Sequence, residues 1–418
     1  MIENTTLIGP IAMKTSAWKD VFKRLSQIFT SITAFVLPLS TAALEFFFIA
    51  SVMCLLCSGE WNKQYESVRN NYLALLFLVF FALFIVGLSY TIAPLSVALH
   101  TLLKYSKFLF GFFLFFIFSN EKTVRYVIFA FLVSITLTLL CSYCKFFSIF
   151  DFLHRFPNDS GVFKDHIFTG FIIAFASYCY IFIAFSIKKW RILAIILFLL
   201  AVYDVLFINV GRSGYVVFIS LFLLFSWQKF GWKGVLFTAL LIIFLLKGTL
   251  FFSETFRDRL SMTQRNIQQY DRGKIDTSIG LRLNFYKASV QLLRQHPWIG
   301  TGTGSFLQAY SHSVGSQHLM TDNPHNEYIN IAVQFGLLGI ITLLSLFFMH
   351  WYKSFQLSTT RRNFAQAILI AIAVGSLFNS WLMDVTQGIF YVFFTALVFS
   401  KFSQLPSEIF TVSKRSNS

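Results

Sequence analysis

Apolar stretches of about twenty residues, long enough to span hydrocarbon as helices, recur along almost the whole chain. A helix satisfies every backbone N–H and C=O internally, which is the condition for crossing a bilayer. Reading with such a window predicts about twelve spans, near 25–40, 42–58, 72–90, 100–119, 124–146, 167–187, 190–209, 213–228, 233–252, 327–350, 364–382 and 387–403. With 56% hydrophobic and only 12% charged residues, the chain lacks the polar surface of a water-soluble fold. The reading is an all-α polytopic membrane protein, one integral domain over 1–418.

The short connections that carry Lys63 and Arg69, Lys122 and Arg125, Lys188, Lys189 and Arg191, Lys229 and Lys233, and Lys353, Arg361 and Arg362, then Lys414 and Arg415, all fall on one side of a twelve-span arrangement. Basic loops resist translocation, so that side is the cytoplasm and holds both termini. The first residues carry Lys14, Lys19, Lys23 and Arg24 without a small-residue cleavage site, the pattern of a retained start. Short loops and anionic headgroups account for much of the net charge of +16, which argues against a nucleic-acid partner. The 55 Phe suit lipid-facing and packed helices alike and identify no function.

The largest polar interruption, 253–326, lies between the ninth and tenth spans on the other, extracytoplasmic side. Within it Leu281, Phe285, Ala288 and Leu292 recur at helical spacing, which predicts an amphipathic helix over 279–296 along the membrane surface. A smaller loop at 147–166 and a tight turn at Gly211–Gly214 share that side, so the three pieces can meet. His154, Asp159, Asp165 and His166 in the smaller loop read as ordinary loop polars, with a sugar or ion contact as the alternative. No repeat and no paired broken helices point to a transporter.

Arg212 stands at the outer end of a span between Gly211 and Ser213-Gly214, where a charge is costly unless paired or solvated. The glycines suggest a close backbone approach, with interfacial snorkelling as the alternative and Asp204 as a nearby counter-ion. Arg282, near the start of the amphipathic helix, can aim a guanidinium fork at a surface phosphate, or belong to a solvated basic face with Lys287 and Arg294. Asn323 and Pro324 read as N-cap and first residue of the next helix, placing His325 in its first turn. There the helix dipole favours a neutral imidazole able to accept a hydroxyl proton; an incidental histidine at a capped start is the alternative.

Gly300–Gly304 (GTGTG) lacks the GK[ST] ending of a P-loop and reads as a plain turn, with a phosphate approach as the alternative. Cys54 and Cys57, and Cys141 and Cys144, form two CxxC pairs, but inside apolar spans without a polar second shell, so packed thiols are expected rather than zinc or a disulfide. No HExxH, paired loop carboxylates or GxSxG elbow occurs.

Three segments together, GRSGY at Gly211–Tyr215, Arg282 followed by HPWIGTGTGSF at His296–Phe306, and DNPHNEYINIAVQFGLLGI at Asp322–Ile340, resemble the bacterial O-antigen ligase and polymerase superfamily. PHNEY followed by FGLLG is the specific part. The resemblance implies a glycosyltransferase C-like fold in the inner membrane of a Gram-negative cell, and an inverting, metal- and cofactor-independent transfer on the periplasmic face. It implies an undecaprenyl-diphosphate-linked glycan as donor, Arg212 and Arg282 as its diphosphate-binding residues, and His325 as the catalytic histidine. Asn326 and Glu327 are expected to orient the acceptor or the histidine. The favoured activity is an O-antigen ligase with a lipid A-core acceptor in lipopolysaccharide biosynthesis; the alternatives are a polymerase, a protein O-oligosaccharyltransferase and, further off, a lipid-linked glycan transporter.

Overall fold

The structure, a computed structural model, describes residues 9–59, 61, 65, 68–149, 159–209, 211–252, 254–272, 277–314 and 323–400. Among them it is all-helical, in the order α1 (Gly9–Val36), α2 (Thr41–Ser58), α3 (Tyr72–Gly87), α4 (Leu95–Tyr105), α5 (Lys107–Ile117), α6 (Glu121–Phe146), α7 (His166–Ser186), α8 (Arg191–Tyr203), α9 (Arg212–Phe252), α10 (Glu254–Asp271), α11 (Ser278–Gln295), α12 (Phe306–Val314), α13 (Glu327–Ser354), α14 (Thr359–Gly375) and α15 (Val385–Phe399). Side-chain oxygens of Ser40, Asn71, Asn120, Asp165, Thr277 and Asn326 accept first-turn N–H groups and set where α2, α3, α6, α7, α11 and α13 begin. His154 lies outside the described residues.

Among the described residues, seven segments are long and apolar enough to cross a bilayer: Thr41–Ser58, Leu95–Ile117, Glu121–Phe146, His166–Ser186, Lys188–Ile208, Arg212–Phe244 and Glu327–Ser354. Tyr72–Gly87 and Val385–Phe399 are shorter apolar helices. The count is below the expected twelve for local reasons. The passes expected at 213–228 and 233–252 form α9, whose backbone breaks at Gly231 (φ 63°, ψ −154°). Ser226 Oγ there lies 2.7 Å from Thr238 Oγ1, whereas a straight helix would hold residues twelve apart about 18 Å from one another. The two halves therefore fold side by side. The pass expected at 364–382 ends at Gly375, because the stretch 376–384, interrupted by Ser376, Asn379, Ser380 and Asp384, leaves the helix.

An aromatic core ties the bundle together, with Phe84 stacked on Tyr105 at 3.8 Å and Phe77, Phe80, Phe108, Phe335 and Tyr391 around them, all fully buried. The basic connections gather at one end: Lys353 sits 4.6 Å over the Tyr72 ring, Asn71 donates to the Phe399 carbonyl at 3.3 Å, and Arg361 donates to the Val398 carbonyl at 2.8 Å. At the other end Lys164 donates to the Leu37 carbonyl and Thr386 Oγ1, both at 2.8 Å, and the Glu327 N–H donates to the Ser376 carbonyl at 2.9 Å.

The expected turn at Gly300–Gly304 is present, as a winding thread of successive turns buried between α3 and α13. Gly300, Gly302 and Gly304 all have positive φ, at 67°, 92° and 73°. α13 itself breaks at Gly336 (φ 58°, ψ −146°), and the thread takes up its freed carbonyls. The N–H groups of Thr301 and Gly302 donate to Val333 and Gln334 at 3.0 and 2.8 Å, that of Thr303 to Gly87 at 3.2 Å, and that of Gly304 to Gln334 Oε1 at 2.7 Å. Irregular backbone at such depth persists only where protein satisfies it. These amides are occupied, so the plain structural reading holds over the phosphate cradle.

The helix expected over 279–296 is α11, but its apolar face does not lie on the bilayer. Phe285, Ala288 and Leu292 pack on Phe306, Ala309 and Tyr310 of α12 and Val333 of α13. A helix buries its stripe against the nearest apolar surface, and here protein supplies it.

Candidate functional site

Arg212 is the first residue of α9 and exposed, while its neighbours Gly211, Ser213 and Gly214 are buried. A Cβ on Gly211 would come 2.8 Å from the His166 carbonyl, and one on Gly214 3.0 Å from Gly170 Cα. The close backbone approach read from the glycines is thus to α7, and it seats Arg212 beside the smaller loop. Asp204 does not serve Arg212: it is fully buried in a π-turn over Asp204–Ile208, against α6.

Arg282 reaches the same region from α11. Burial, together with the like charge of Arg212, holds its guanidinium below the usual arginine value against the opposing pull of Tyr286. Among the described residues neither arginine makes a hydrogen bond or ion pair with the protein. Two cations brought within electrostatic reach, with no carboxylate partner among the described residues, have the chemistry to hold an anion.

Tyr286, one turn beyond Arg282, donates to the Leu377 carbonyl at 3.4 Å. Asn326 Nδ2 donates to that same carbonyl at 3.1 Å, which joins α11 to the segment bearing His325. Asn326, and not Asn323, caps α13, with its Oδ1 taking the Ile329 N–H at 3.1 Å. His325 therefore lies outside the helix, one residue before its cap, rather than in its first turn. Its φ is 54°, a conformation that costs a non-glycine residue of order 1–3 kcal/mol. Asn323 Oδ1 holds it there, accepting from the His325 N–H at 2.8 Å and from Ser380 Oγ at 2.7 Å. Both asparagines can bond an N–H two or three residues on; the 376–384 segment decides which one caps.

The His325 ring meets Asn379, with Nδ1 3.0 Å from Oδ1, and Asn379 Nδ2 donates to Asp384 Oδ2 at 3.1 Å. Burial pushes the Asp384 carboxyl up to about 6, against the charge of Lys107. Lys107 is itself buried and donates to the carbonyls of Leu382, Met383 and Asp384 at 3.1, 3.0 and 2.6 Å.

Glu327 is fully buried and faces this same turn rather than open space. Its Oε1 accepts from Tyr105 Oη at 2.6 Å and its Oε2 from the N–H groups of Leu382 and Met383 at 3.1 and 3.2 Å. Asn330 Nδ2 donates to Tyr105 Oη at 3.0 Å, closing the network. Tyr105→Phe strips one donor from a buried carboxylate and is expected to lower unfolding stability by about 1–3 kcal/mol. Thermal unfolding in detergent would show it; an unchanged midpoint would mean that Glu327 does not depend on Tyr105.

In the smaller loop His166 Nδ1 lies 3.0 Å from Asp159 Oδ2. Burial raises the Asp159 carboxyl, but hydrogen bonds from His166 and the Gly161 N–H outweigh it and leave the group below its ordinary value. Lys145 donates to the Asp159 carbonyl at 2.7 Å, and Asp165 caps α7. The loop is thus braced into the bundle beside Gly211.

The structure gathers Arg212 and Arg282, and ties the His325 segment to the Arg282 helix through Leu377. Missed from sequence are Asn379, Asp384, Tyr105 and Lys107. An available signal was Lys107, a lysine within an apolar run; nothing local marks Asn379 as a partner of His325.

A multi-pass α-helical membrane protein with two arginines brought together at one end is the class that this fold and site define. A protein-family model described as O-antigen ligase matches residues 196–344, the stretch that holds Arg212, Arg282 and His325. The family supports an O-antigen ligase- or polymerase-type, glycosyltransferase-like activity, with a lipid-linked glycan and an acceptor as the implied partners. No curated protein matches the chain.

Proposed function

We propose that the protein is an O-antigen ligase that transfers a glycan en bloc from undecaprenyl diphosphate to lipid A-core, on the periplasmic face of the inner membrane. The pair Arg212 and Arg282, cationic, within electrostatic reach of each other and without a protein acceptor among the described residues, carries this reading: it matches what a departing diphosphate requires. In a twelve-pass chain with cytoplasmic termini, counting both halves of α9, the site end faces the periplasm and the basic end the cytoplasm, in keeping with the rule for short basic loops.

In the reaction, the acceptor hydroxyl oxygen attacks the anomeric carbon from the side opposite the diphosphate. Its proton passes to the His325 ring as the carbon–oxygen bond forms. The bond to the diphosphate breaks with its electron pair, and the arginines meet the charge that develops there. Inversion at the anomeric carbon follows from the single displacement, and this chain supplies base and charge without calling on a metal. Asn326 shapes the His325 segment by capping α13, and Glu327 orients it from behind by holding the 382–383 turn.

The test supplies purified protein with undecaprenyl-diphosphate glycan and rough lipopolysaccharide in EDTA, and follows the shifted lipopolysaccharide band. The native protein is expected to produce it. Arg212→Ala and Arg282→Ala are each expected to slow it about 100- to 1,000-fold, the effect of removing one preorganised charge donor. Native rates in both variants would sink the assignment. A product on a second lipid-linked glycan or on a pilin-like protein, in place of lipopolysaccharide, would make the enzyme a polymerase or a protein glycosyltransferase.

A further inference from the structure

We propose that Asn379, oriented by Asp384, is a positioning residue for His325: it fixes the neutral ring as the tautomer with hydrogen on Nδ1, so that Nε2 is the atom that takes the acceptor proton. The role in proton transfer rests on the functional reading above; the tautomer itself rests on geometry alone.

An asparagine side chain offers either an acceptor oxygen or a donor nitrogen to a neighbour, and its own shape does not say which. Here Asp384 decides. Its Oδ2, 3.1 Å from Asn379 Nδ2, is an acceptor when ionised and calls for the amide nitrogen. The opposite flip would set two acceptor oxygens against each other. With the nitrogen so committed, Asn379 Oδ1 is the atom at 3.0 Å from His325 Nδ1, and an oxygen there calls for a hydrogen on Nδ1. The lone pair of the neutral ring is then on Nε2. When Nε2 takes a proton the ring becomes an imidazolium, and Nδ1–H still donates to Asn379, so no hydrogen bond is lost in the step.

The surroundings hold this chain in place. Asn379 is buried, at 9% exposure. The backbone on either side of it is pinned by Ser380 Oγ on Asn323 Oδ1 at 2.7 Å, by the Trp381 N–H on the Asn379 carbonyl at 3.0 Å, and by Lys107 on the Asp384 carbonyl. The charges acting on Asp384 are Lys107 and Lys104, which favour its ionised form, and Asp165 of the smaller loop, which opposes it. Glu327 lies behind the same turn and feels Asp384 in its turn. The positive φ of His325 belongs to the same device: it turns the residue out of the helix path towards the 376–384 segment.

Two measurements test the proposal. The first reads the tautomer directly, from ring nitrogen shifts of the ¹⁵N-histidine-labelled protein in detergent, with His325 assigned by its loss in His325→Ala. Above the ring's titration, a protonated Nδ1 is expected, and a protonated Nε2 would overturn the proposal whatever the enzyme's activity. The second follows transfer from undecaprenyl-diphosphate glycan to rough lipopolysaccharide across pH. Asn379→Ala is expected to lower kcat on the order of 10- to 100-fold with KM little changed, as loss of an orienting partner does elsewhere. Asn379→Asp keeps an oxygen at Nδ1 and is expected to retain turnover, with the acid limb of the profile moved to higher pH, because a carboxylate stabilises the imidazolium. Asp384→Asn keeps an acceptor for Asn379 Nδ2 and is expected to rescue what Asp384→Ala loses. If His325→Ala is inactive while Asn379→Ala and Asn379→Asp keep the native kcat and profile, the positioning role is refuted and the functional reading stands. Native activity in His325→Ala refutes the functional reading instead, and the nitrogen shifts still decide the tautomer.

Discussion

His325→Ala is expected to lower the rate of glycan transfer by about two to four orders of magnitude, the usual contribution of a positioned general base. Its fold should survive. The His325 ring is half-buried and bonds Asn379 at its Nδ1, whereas the backbone turn is held by the Asn323 side chain, which the substitution leaves in place. Alanine also keeps the strained left-handed φ of 54°, so neither the turn nor the start of α13 at Glu327 has reason to move. The check is single-turnover transfer at saturating donor, alongside gel filtration and thermal unfolding. A folded variant turning over at more than about a tenth of the native rate would rule out proton transfer by this ring, because a base contributes at least about 100-fold. Arg212 and Arg282 would then carry the reaction by charge alone.

Gly302→Ala is expected to prevent the native protein from accumulating. Its φ of 92° is one that side chains rarely adopt, and a Cβ there would come 2.3 Å from Thr91 Cα and 2.7 Å from the Thr91 nitrogen. These are backbone atoms and cannot swing aside as a side chain tip would. Making room separates the thread from Thr91, whose Oγ1 donates to the Thr303 carbonyl at 2.7 Å, and strains the Ile92 N–H bond to the Thr301 carbonyl at 3.1 Å. It also pulls Gly302 N–H from Gln334, reopening the break in α13. Backbone strain plus buried amides left unpaired puts the cost at or above about 4–5 kcal/mol, enough to exhaust a marginal fold. Gly59→Ala is the matched control: its φ is 66°, but a Cβ meets nothing within 4 Å, so only about 1–2 kcal/mol of conformational strain is expected. Membrane-fraction yield and the unfolding midpoint in detergent compare the two. Equal behaviour would mean that the thread is not wedged as the structure places it.

Much of the candidate site was legible because it depends on where charge is tolerated. Arg212 and Arg282 stand out in a chain with few charges, and His325 stands out beside an asparagine, a proline and a long apolar run. Their chemistry can be argued from residue type and depth. The helix start was misplaced by three residues because Asn323-Pro324 and Asn326-Glu327 both satisfy the local rules for capping. What separates them is distant: Ser376 takes the Glu327 N–H, Leu377 takes Asn326, and Asn379 and Ser380 hold the residues before. Glu327, expected near the acceptor or the histidine, proved to be buried behind the site for the same reason.

The sequence by itself determined that this chain is helical and crosses a membrane, which connections between helices carry charge, and which two arginines and one histidine stand out beside apolar runs. Those properties follow from the cost of exposing backbone and charge to hydrocarbon, a cost set residue by residue along the chain. Only the tertiary structure decided that Arg212 and Arg282 share one region, that Asn379 and Asp384 face His325, and that the glycines at 300–304 serve packing against α3 and α13 rather than a phosphate. These outcomes depend on hydrogen bonds and backbone contacts between positions as far apart as Thr91 and Thr303, or Asn379 and His325. No local pattern encodes such pairings, because each partner alone is satisfied equally well by other neighbours until the helices pack.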